Sequence, residues 1–429
     1  MDERLQSVAP DDPRDNRSGA AAPPTASGAA VLLSARGLRA FADGFVALLL
    51  PVYLTRLGFD AFATGILTTA TLLGSAALTL CVGLTAHRLE PRRLLVASSL
   101  LMFATGICFA LFGEFWPLVI VGFVGTLNPT SGDVSLFLPL EQSLLSHSVA
   151  DDKRTALFAR YSLVGSLFGA LGALAAVMPE FATAVMPLDF IGALKAMFVL
   201  YGLFGLVTFA LYRRLPRGAA EADGPVKQPL GASRRIVFTL AALFSLDSFG
   251  GGFFVQSLLA LWLFDRFGLS LAMAASFFFW SGVLTAFSYL VAVRIAGRIG
   301  LVNTMVFTHI PSSLCVMLVP FVPDLGVVLA LLLVRAALSQ MDVPTRSSYV
   351  MAVVTPPERA AAASITAVPR SLAAAMSPVL AGWLMSVSAF AWPLLIGGAL
   401  KIVYDLLLLA MFRRVRPPEE AERRRGERP

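Results

Sequence analysis

The sequence is poor in almost everything a soluble enzyme is built from. Only 14% of its 429 residues are charged, and only three are cysteine and three histidine. Cys81, Cys108 and Cys315 all fall inside apolar stretches, with no Cys-x-x-Cys or Cys/His spacing. That excludes a disulfide framework and a zinc site and leaves them as packing residues. His87, His147 and His309 are scattered, and no His/Glu metal spacing, Ser/His pair or Gly-rich phosphate loop is visible. No metal, no cofactor and no catalytic set are therefore expected, and the chain is read as not an enzyme. Residues 1–30 lack helical apolar periodicity and carry no signal-peptide pattern, so they are expected to be a disordered cytoplasmic tail before a retained first helix.

What is abundant is apolar. Hydrophobic residues make up 57% of the chain and its mean hydropathy is +0.76, well beyond an ordinary soluble domain. A crossing of the bilayer takes about 20 such residues as a helix. Apolar stretches recur at 31–54, 60–86, 92–112, 116–145, 155–178, 188–212, 234–264, 270–293, 301–322, 325–354, 360–386 and 389–412. The expected architecture is therefore an all-α integral membrane protein of about twelve transmembrane helices.

A formal net charge of +7, nearly all of it arginine, raises the question of nucleic acid. The placement of the charge answers it. Basic links, such as Arg92-Arg93, Arg213 to Arg235 and Arg294 to Arg298, alternate with links that have almost no positive charge, Arg56 and Arg266 excepted. This is the positive-inside pattern, which places both termini in the cytoplasm of a plasma or inner membrane, expected to be bacterial, with no nucleic-acid partner. The longest polar interruption, 213–235, is rich in Gly, Pro and charge and reads as a cytoplasmic linker. It separates a bundle at 31–212 from one at 236–412, with a cytoplasmic tail at 413–429.

The two halves repeat each other. Arg56-Leu57-Gly58-Phe59 precedes the second stretch, and Arg266-Phe267-Gly268-Leu269 precedes the eighth. The same register sets the loop from His87 beside the one from Gly297. Asp133 then aligns with Asp342, Gly192-Ala193-Leu194-Lys195 with Gly398-Ala399-Leu400-Lys401, and Tyr212-Arg213-Arg214 with Phe412-Arg413-Arg414. A lysine in the same tetrapeptide of both halves is hard to ascribe to shared Leu/Ala composition, so a tandem duplication of six helices is inferred.

On these residues the chain resembles the major facilitator superfamily, whose two six-helix halves are joined by a cytoplasmic linker. That family's loop between the second and third helices reads Gly-x-x-x-Asp-Arg-x-Gly-Arg-Arg. This chain keeps Gly83, Arg88, Arg92 and Arg93 but has His87 and Glu90 where the family has Asp and Gly; the second copy has Gly297, Arg298 and Gly300. The resemblance implies a conformational latch at both loops, with the usual Asp contact missing and Arg88 free to meet helix C-terminal carbonyls. In the fifth stretch Gly165-x-x-x-Gly169-x-x-Gly172 resembles the family's antiporter motif with Ala170 in place of Pro, a pattern that close helix packing explains equally well. It leans the reading towards efflux. The family's Arg-x-x-Gln-Gly pattern of the fourth helix is absent at Thr126-Leu127-Asn128, and Arg335 is the nearest equivalent by repeat symmetry.

Ionisable groups at bilayer depth cost a few kcal/mol and so mark candidate sites. Arg36, Arg39 and Asp43 share one face of the first helix, where Asp43 is either a cavity residue or the counter-ion of Arg39. The fourth stretch carries Asn128-Pro129 and Asp133, and the tenth carries Arg335, Gln340, Asp342 and Arg346. Interrupted helices at matching places point to a midplane site, with a structural Asp342–Arg346 pair as the alternative. Lys195 and Lys401 are expected to snorkel to the interface, with Asp405 as the local partner of Lys401. Asp247, Gln256 and Arg370 are expected to face a central cavity. Since the first, fourth, seventh and tenth helices line the pathway in the family, the resemblance favours Asp43, Asp133, Asp247 and Asp342. The expectation is a monomeric secondary transporter that exchanges a small solute for a proton or cation by alternating access. A cationic solute is preferred; an uptake permease for an organic anion, or a non-transporting sensor on the same fold, is the alternative.

Overall fold

The structure is a computed structural model that describes residues 26–85, 90–130, 135–146, 151–215, 231, 233–355 and 358–413. Every regular element among the described residues is helical. The N-terminal half holds α1 (Ala26–Arg56), α2 (Ala61–Thr85), α3 (Pro91–Leu111), α4 (Phe115–Val124), α5 (Phe137–Ser146), α6 (Asp151–Ala175), the short α7 (Met178–Val185) and α8 (Phe190–Tyr212). The C-terminal half holds α9 (Arg234–Gly252), α10 (Gln256–Phe267), α11 (Leu271–Ile299), α12 (Leu301–Leu318), α13 (Leu325–Ser339), α14 (Asp342–Val353), α15 (Arg359–Val387) and α16 (Trp392–Phe412).

Among the described residues, ten of the twelve expected crossings are long and apolar enough to span a membrane by length and composition. The other two are the fourth, split into α4 and α5, and the eleventh, α15, whose 29 residues carry Arg370, Pro369 and Pro378. The fourth stretch is interrupted about Asn128-Pro129 and the tenth at Gln340-Met341, between α13 and α14, at the matching places that the sequence marks. The seventh, expected to run without a break from 234 to 264, is interrupted as well. In the seventh, Gly250-Gly251-Gly252 ends α9, and α10 restarts only at Gln256. Three successive glycines weaken a helix by roughly 1 kcal/mol each relative to alanine.

The Arg-x-Gly repeat turns out to be a helix stop. Gly58 and Gly268 have φ of 88° and 58°, the left-handed conformation that a side chain resists, and they end the first and seventh crossings. Four of the crossings that begin at this end are capped there by Asp60, Asp189, Ser270 and Asp324, whose side chains accept from the backbone N–H of Ala63, Gly192, Met273 and Val327. Acidic caps satisfy orphan donors and complement the helix dipole.

Helices meet through small residues. A methyl group added at Gly44 or Gly172 would collide with the backbone carbonyls of Gly169 and Phe41, so α1 and α6 touch backbone to backbone. The fifth-stretch glycine motif is used in this contact. Between the halves, a methyl at Gly65 of α2 would lie 2.6 Å from Pro378 O of α15, and one at Gly282 of α11 would lie 2.8 Å from Ala170 Cβ of α6. Thr69 Oγ1 accepts from Val379 N at 2.9 Å, across the same α2–α15 contact. Gly65 is near the start of α2 and Gly382, packed on it, near the finish of α15, so this seam closes the end remote from the chain termini. Large apolar side chains such as Leu111, Trp116, Phe181, Phe287 and Trp383 are exposed on the outside, as a hydrocarbon-facing surface requires. Cys81 is exposed as well, contrary to the packing role expected of it, because its face of α2 points outward.

Candidate functional site

The C-terminal half contains a continuous network of six ionisable side chains on four helices. Asp247 of α9 accepts from Lys401 Nζ of α16 at 2.6 Å through Oδ1, and from Arg346 Nη2 of α14 at 3.0 Å through Oδ2. Arg346 also pairs with Asp342, one turn earlier on α14. His309 of α12 has Nδ1 at 3.1 and 3.0 Å from the two oxygens of Asp405, while its Nε2 lies 3.4 Å from Lys401 Nζ and 3.6 Å from Asp247 Oδ1. Arg346 stacks on Phe244 and His309 meets the ring of Tyr404 edge-on. Charges survive burial only when paired and hydrogen-bonded, and here each has a partner.

Two expectations are corrected here. Lys401 does not snorkel: it sits midway along α16 with its side chain 14% exposed, because Asp247 offers a closer partner than the interface does. Asp405 is not its counter-ion; the carboxylate faces His309 instead. Lys195, the repeat partner of Lys401, is half-buried, and among the described residues no such network surrounds it.

A second cluster lies in the N-terminal half. Glu141 of α5 is fully buried and accepts from Arg39 of α1, from Tyr161 OH of α6 at 2.5 Å and from Tyr212 OH of α8 at 2.5 Å. Arg39 Nε also donates to Tyr212 OH at 3.2 Å, and its guanidinium covers the Phe137 ring at 4.1 Å. Arg39 thus spends itself on Glu141. Of the two roles open to Asp43, counter-ion of Arg39 is not the one seen: among the described residues no hydrogen bond or ion pair reaches its buried carboxylate.

Between these clusters, the interruptions of the fourth and seventh crossings touch. Ser257 N, in the first turn of α10, donates to Pro129 O beyond the end of α4 at 3.3 Å. Asn128 Oδ1 folds back to accept from Thr130 N and Thr130 Oγ1, at 3.1 and 2.7 Å. Phe254, in the gap between α9 and α10, carries the guanidinium of Arg335 on its face at 4.9 Å. Among the described residues no carboxylate pairs with Arg335. Gln256 opens α10 next to this contact and Gln340 ends α13 one turn beyond Arg335; both are half-buried. Arg370 lies half-buried on α15.

Asp133, His87 and Arg88 lie outside the described residues, as do the side-chain surroundings of Gly83. Of the loop residues that are described, Arg92 donates to Arg213 O at 2.6 Å and to Tyr212 O at 3.3 Å, so it caps the C-terminal end of α8. That is the carbonyl contact envisaged for Arg88. Arg93 makes an exposed pair with Glu90 at 3.0 Å. Gly297 and Arg298 are exposed in the last turn of α11, and Gly300 turns the chain into α12 with φ of 91°.

Comparison with known proteins adds the family. The family model described as Major Facilitator Superfamily matches residues 32–339 and 248–429. The chain belongs to this superfamily. An uncharacterized membrane protein of Saccharomyces cerevisiae, YJR124C, is 22% identical over 414 residues, covering 87% of this chain and 92% of its own. Among solved structures, a bacterial homologue of the human lysosomal transporter Spinster, in an inward-facing and occupied conformation, superposes with a TM-score of 0.70 at 14% identity, covering 92% of this chain and 97% of that one. The nucleoside transporter NupG gives 0.69 at 14% identity over 90% and 99%. The xylose transporter XylE of E. coli, partially occluded and inward open, gives 0.69 at 14% identity over 92% and 98%. At such identities these likenesses show the fold alone.

Within the superfamily fold, sequence reasoning passed over Glu141 and His309. Glu141 stands in a run, Phe137 to Ser146, that reads as the end of a helix near a polar loop. His309 precedes Pro311 in an apolar helix, and its only signal is its rarity. Both are found by asking which buried polar group lacks a local partner.

Proposed function

We propose that this member of the superfamily is a secondary active transporter that moves a small solute across the bilayer by alternating access, driven by a proton or cation gradient. The observation that carries the reading is the meeting of two interrupted crossings from opposite halves, with Ser257 N on Pro129 O and Arg335 stacked beside them on Phe254. Non-helical backbone at membrane depth is tolerated where it is enclosed by protein or lines a pathway, and paired interruptions are where transporters hold their solutes. The seam at Gly65, Thr69 and Gly282 supplies the other requirement, a contact between halves at one end that can part while the opposite end closes.

The solute is proposed to carry an anionic group that faces Arg335, with Asn128, Gln256 and Gln340 as neutral contacts. A cationic solute was the first expectation, resting on four aspartates. Asp247 and Asp342 are neutralised by Lys401 and Arg346, so that reading rests on Asp43 and Asp133 alone. A zwitterion, with its cation at Asp43 and its anion at Arg335, reconciles the two. The structural neighbours named for nucleosides and xylose favour small polar organic molecules. Efflux is the direction favoured by the fifth-helix glycine motif. Both termini and the linker at 213–235, between bundles at 31–212 and 236–412, are proposed to be cytoplasmic, in a plasma or inner membrane, with the monomer as the working unit.

The test is flux into and out of liposomes holding the purified protein, across organic anions, cations and zwitterions, with and without an imposed pH gradient. Transport of an anion-bearing solute that Arg335→Gln removes without loss of folding is the expected result. Flux confined to cations and untouched by Arg335→Gln overturns the substrate assignment.

A further inference from the structure

We propose that the network around His309 is a binding site for one exchangeable proton, located on Nε2 of the imidazole, and that this proton is the coupling ion. The inference rests on the transporter reading and adds to it the ion and its seat.

Charge counting is the first ground. The network contains three carboxylates, Asp247, Asp342 and Asp405, and two permanent cations, Arg346 and Lys401. With all three carboxylates ionised and a neutral imidazole, the enclosed cluster has one uncompensated negative charge; with a protonated imidazole it has none. A buried site favours the neutral total, so the cluster is built to take up a single proton.

Geometry says where it goes. An ionised carboxylate only accepts, so the nitrogen in contact with both oxygens of Asp405, Nδ1, carries a hydrogen. Nε2 is left facing a donor and an acceptor at almost equal distance, Lys401 Nζ at 3.4 Å and Asp247 Oδ1 at 3.6 Å. A neutral ring accepts from Lys401. A protonated ring donates to Asp247 and competes for the oxygen that Lys401 holds. One ring orientation serves both states, with no rotamer change. The remaining groups that face this ring are Tyr404 on α16 and, behind Asp247, Arg346 and Asp342 on α14. α13 meets α12 one turn away from the ring, where the Arg335 carbonyl accepts from Ser312 Oγ at 3.4 Å.

The site is also connected to the junction between halves. The Lys401 stem crosses the last turn of α9: a methyl at Gly250 would lie 3.3 Å from its Cγ, and one at Gly251 3.5 Å from its Nζ. Those glycines immediately precede the interruption at Phe254, on which Arg335 stacks. Protonation of Nε2 loosens Lys401 from Asp247, and the lysine rests on the most pliable turn of the seventh crossing. Proton uptake is thereby linked to movement of α10 against Pro129.

The test needs no solute. Full-length protein with His87 and His147 replaced by Gln is labelled with nitrogen-15 at histidine and reconstituted in lipid nanodiscs, and the imidazole resonances are followed through a pH sweep. Nδ1 is expected to bear hydrogen throughout, while Nε2 converts from acceptor to N–H in the course of the sweep. Spin labels at the exposed ends of α8 and α16, on Arg213 and Arg413 in a background with the three cysteines replaced, should change separation over the same pH interval. His309→Gln should lose that response while keeping its helical content, and Asp405→Asn, which retains the ring, should displace it. A Nε2 that never changes state, or a pH-dependent separation that survives His309→Gln, overturns the proposal. Solute flux with an inert Nε2 sinks the proton site alone; a titrating Nε2 with no flux of any solute sinks the transporter reading and the coupling role that rests on it, and leaves the proton site standing.

Discussion

Lys401 and Asp247 are joined across the C-terminal bundle, Nζ to Oδ1 at 2.6 Å, although 154 positions separate them in the chain. Removing one partner of a buried pair strands the other and costs about 3–5 kcal/mol. Lys401→Met is expected to lose about that much in chemical unfolding of the detergent-solubilised protein. Adding Asp247→Asn to it should cost less than the two single losses together, since the double variant strands neither charge. Strict additivity would show that the pair is not coupled.

In the N-terminal half the three donors to Glu141 are unequal. Tyr161→Phe deletes one hydrogen bond and should cost about 1 kcal/mol, while Tyr212→Phe deletes two, the one to Glu141 and the one accepted from Arg39 Nε, and should cost about 2 kcal/mol. Glu141→Leu leaves the buried Arg39 without a carboxylate and should cost about 3–5 kcal/mol. Unfolding midpoints of the three variants check the order, which reverses if the tyrosines position Arg39 on their own.

Much of the fold was legible in the sequence, because hydropathy marks a crossing wherever apolar residues are continuous and the Arg-x-Gly stop recurs in both halves. The site was less so. The pairing of Asp342 with Arg346 is legible in their i,i+4 spacing, but the partners of Asp247 come from α12, α14 and α16, 62 to 154 positions away, and periodicity says nothing of them. Lys401 reads as a snorkelling residue because its distance from the helix end is measurable in sequence and the position of Asp247 is not. The break at Gly250-Gly251-Gly252 had a visible signal, the glycine run, masked by the apolar residues on either side.

The seam between halves should answer to bulk. Gly282→Leu forces a branched side chain against Ala170, and overpacking of this kind costs about 1–3 kcal/mol in the state that holds the contact. The balance should move by about tenfold or more away from that state. Alkylation of a cysteine placed at Thr69, on the neighbouring α2–α15 contact, is expected to accelerate by a similar factor, and an unchanged rate would show that the two contacts do not open together.

Glu358 caps α9 from a distance, its carboxylate accepting from Gly231 N at 2.9 Å and Ser233 N at 3.1 Å. Replacing a cap costs about 0.5–2 kcal/mol. In Glu358→Ala, amide exchange in the first turn of α9 should quicken while that of α16 stays unchanged. Equal quickening in both helices would signal general unfolding instead.

The central claim is that the touching interruptions at Pro129 and Ser257, with Arg335 beside them, form a solute site served by alternating access. Counterflow in liposomes tests it most directly: labelled solutes from an anion, cation and zwitterion panel are offered to vesicles loaded with the unlabelled compound. Accumulation of an anion-bearing solute, lost in a folded Arg335→Gln variant, is the predicted result. Uptake no greater than that of protein-free vesicles for every solute on the panel would contradict the account.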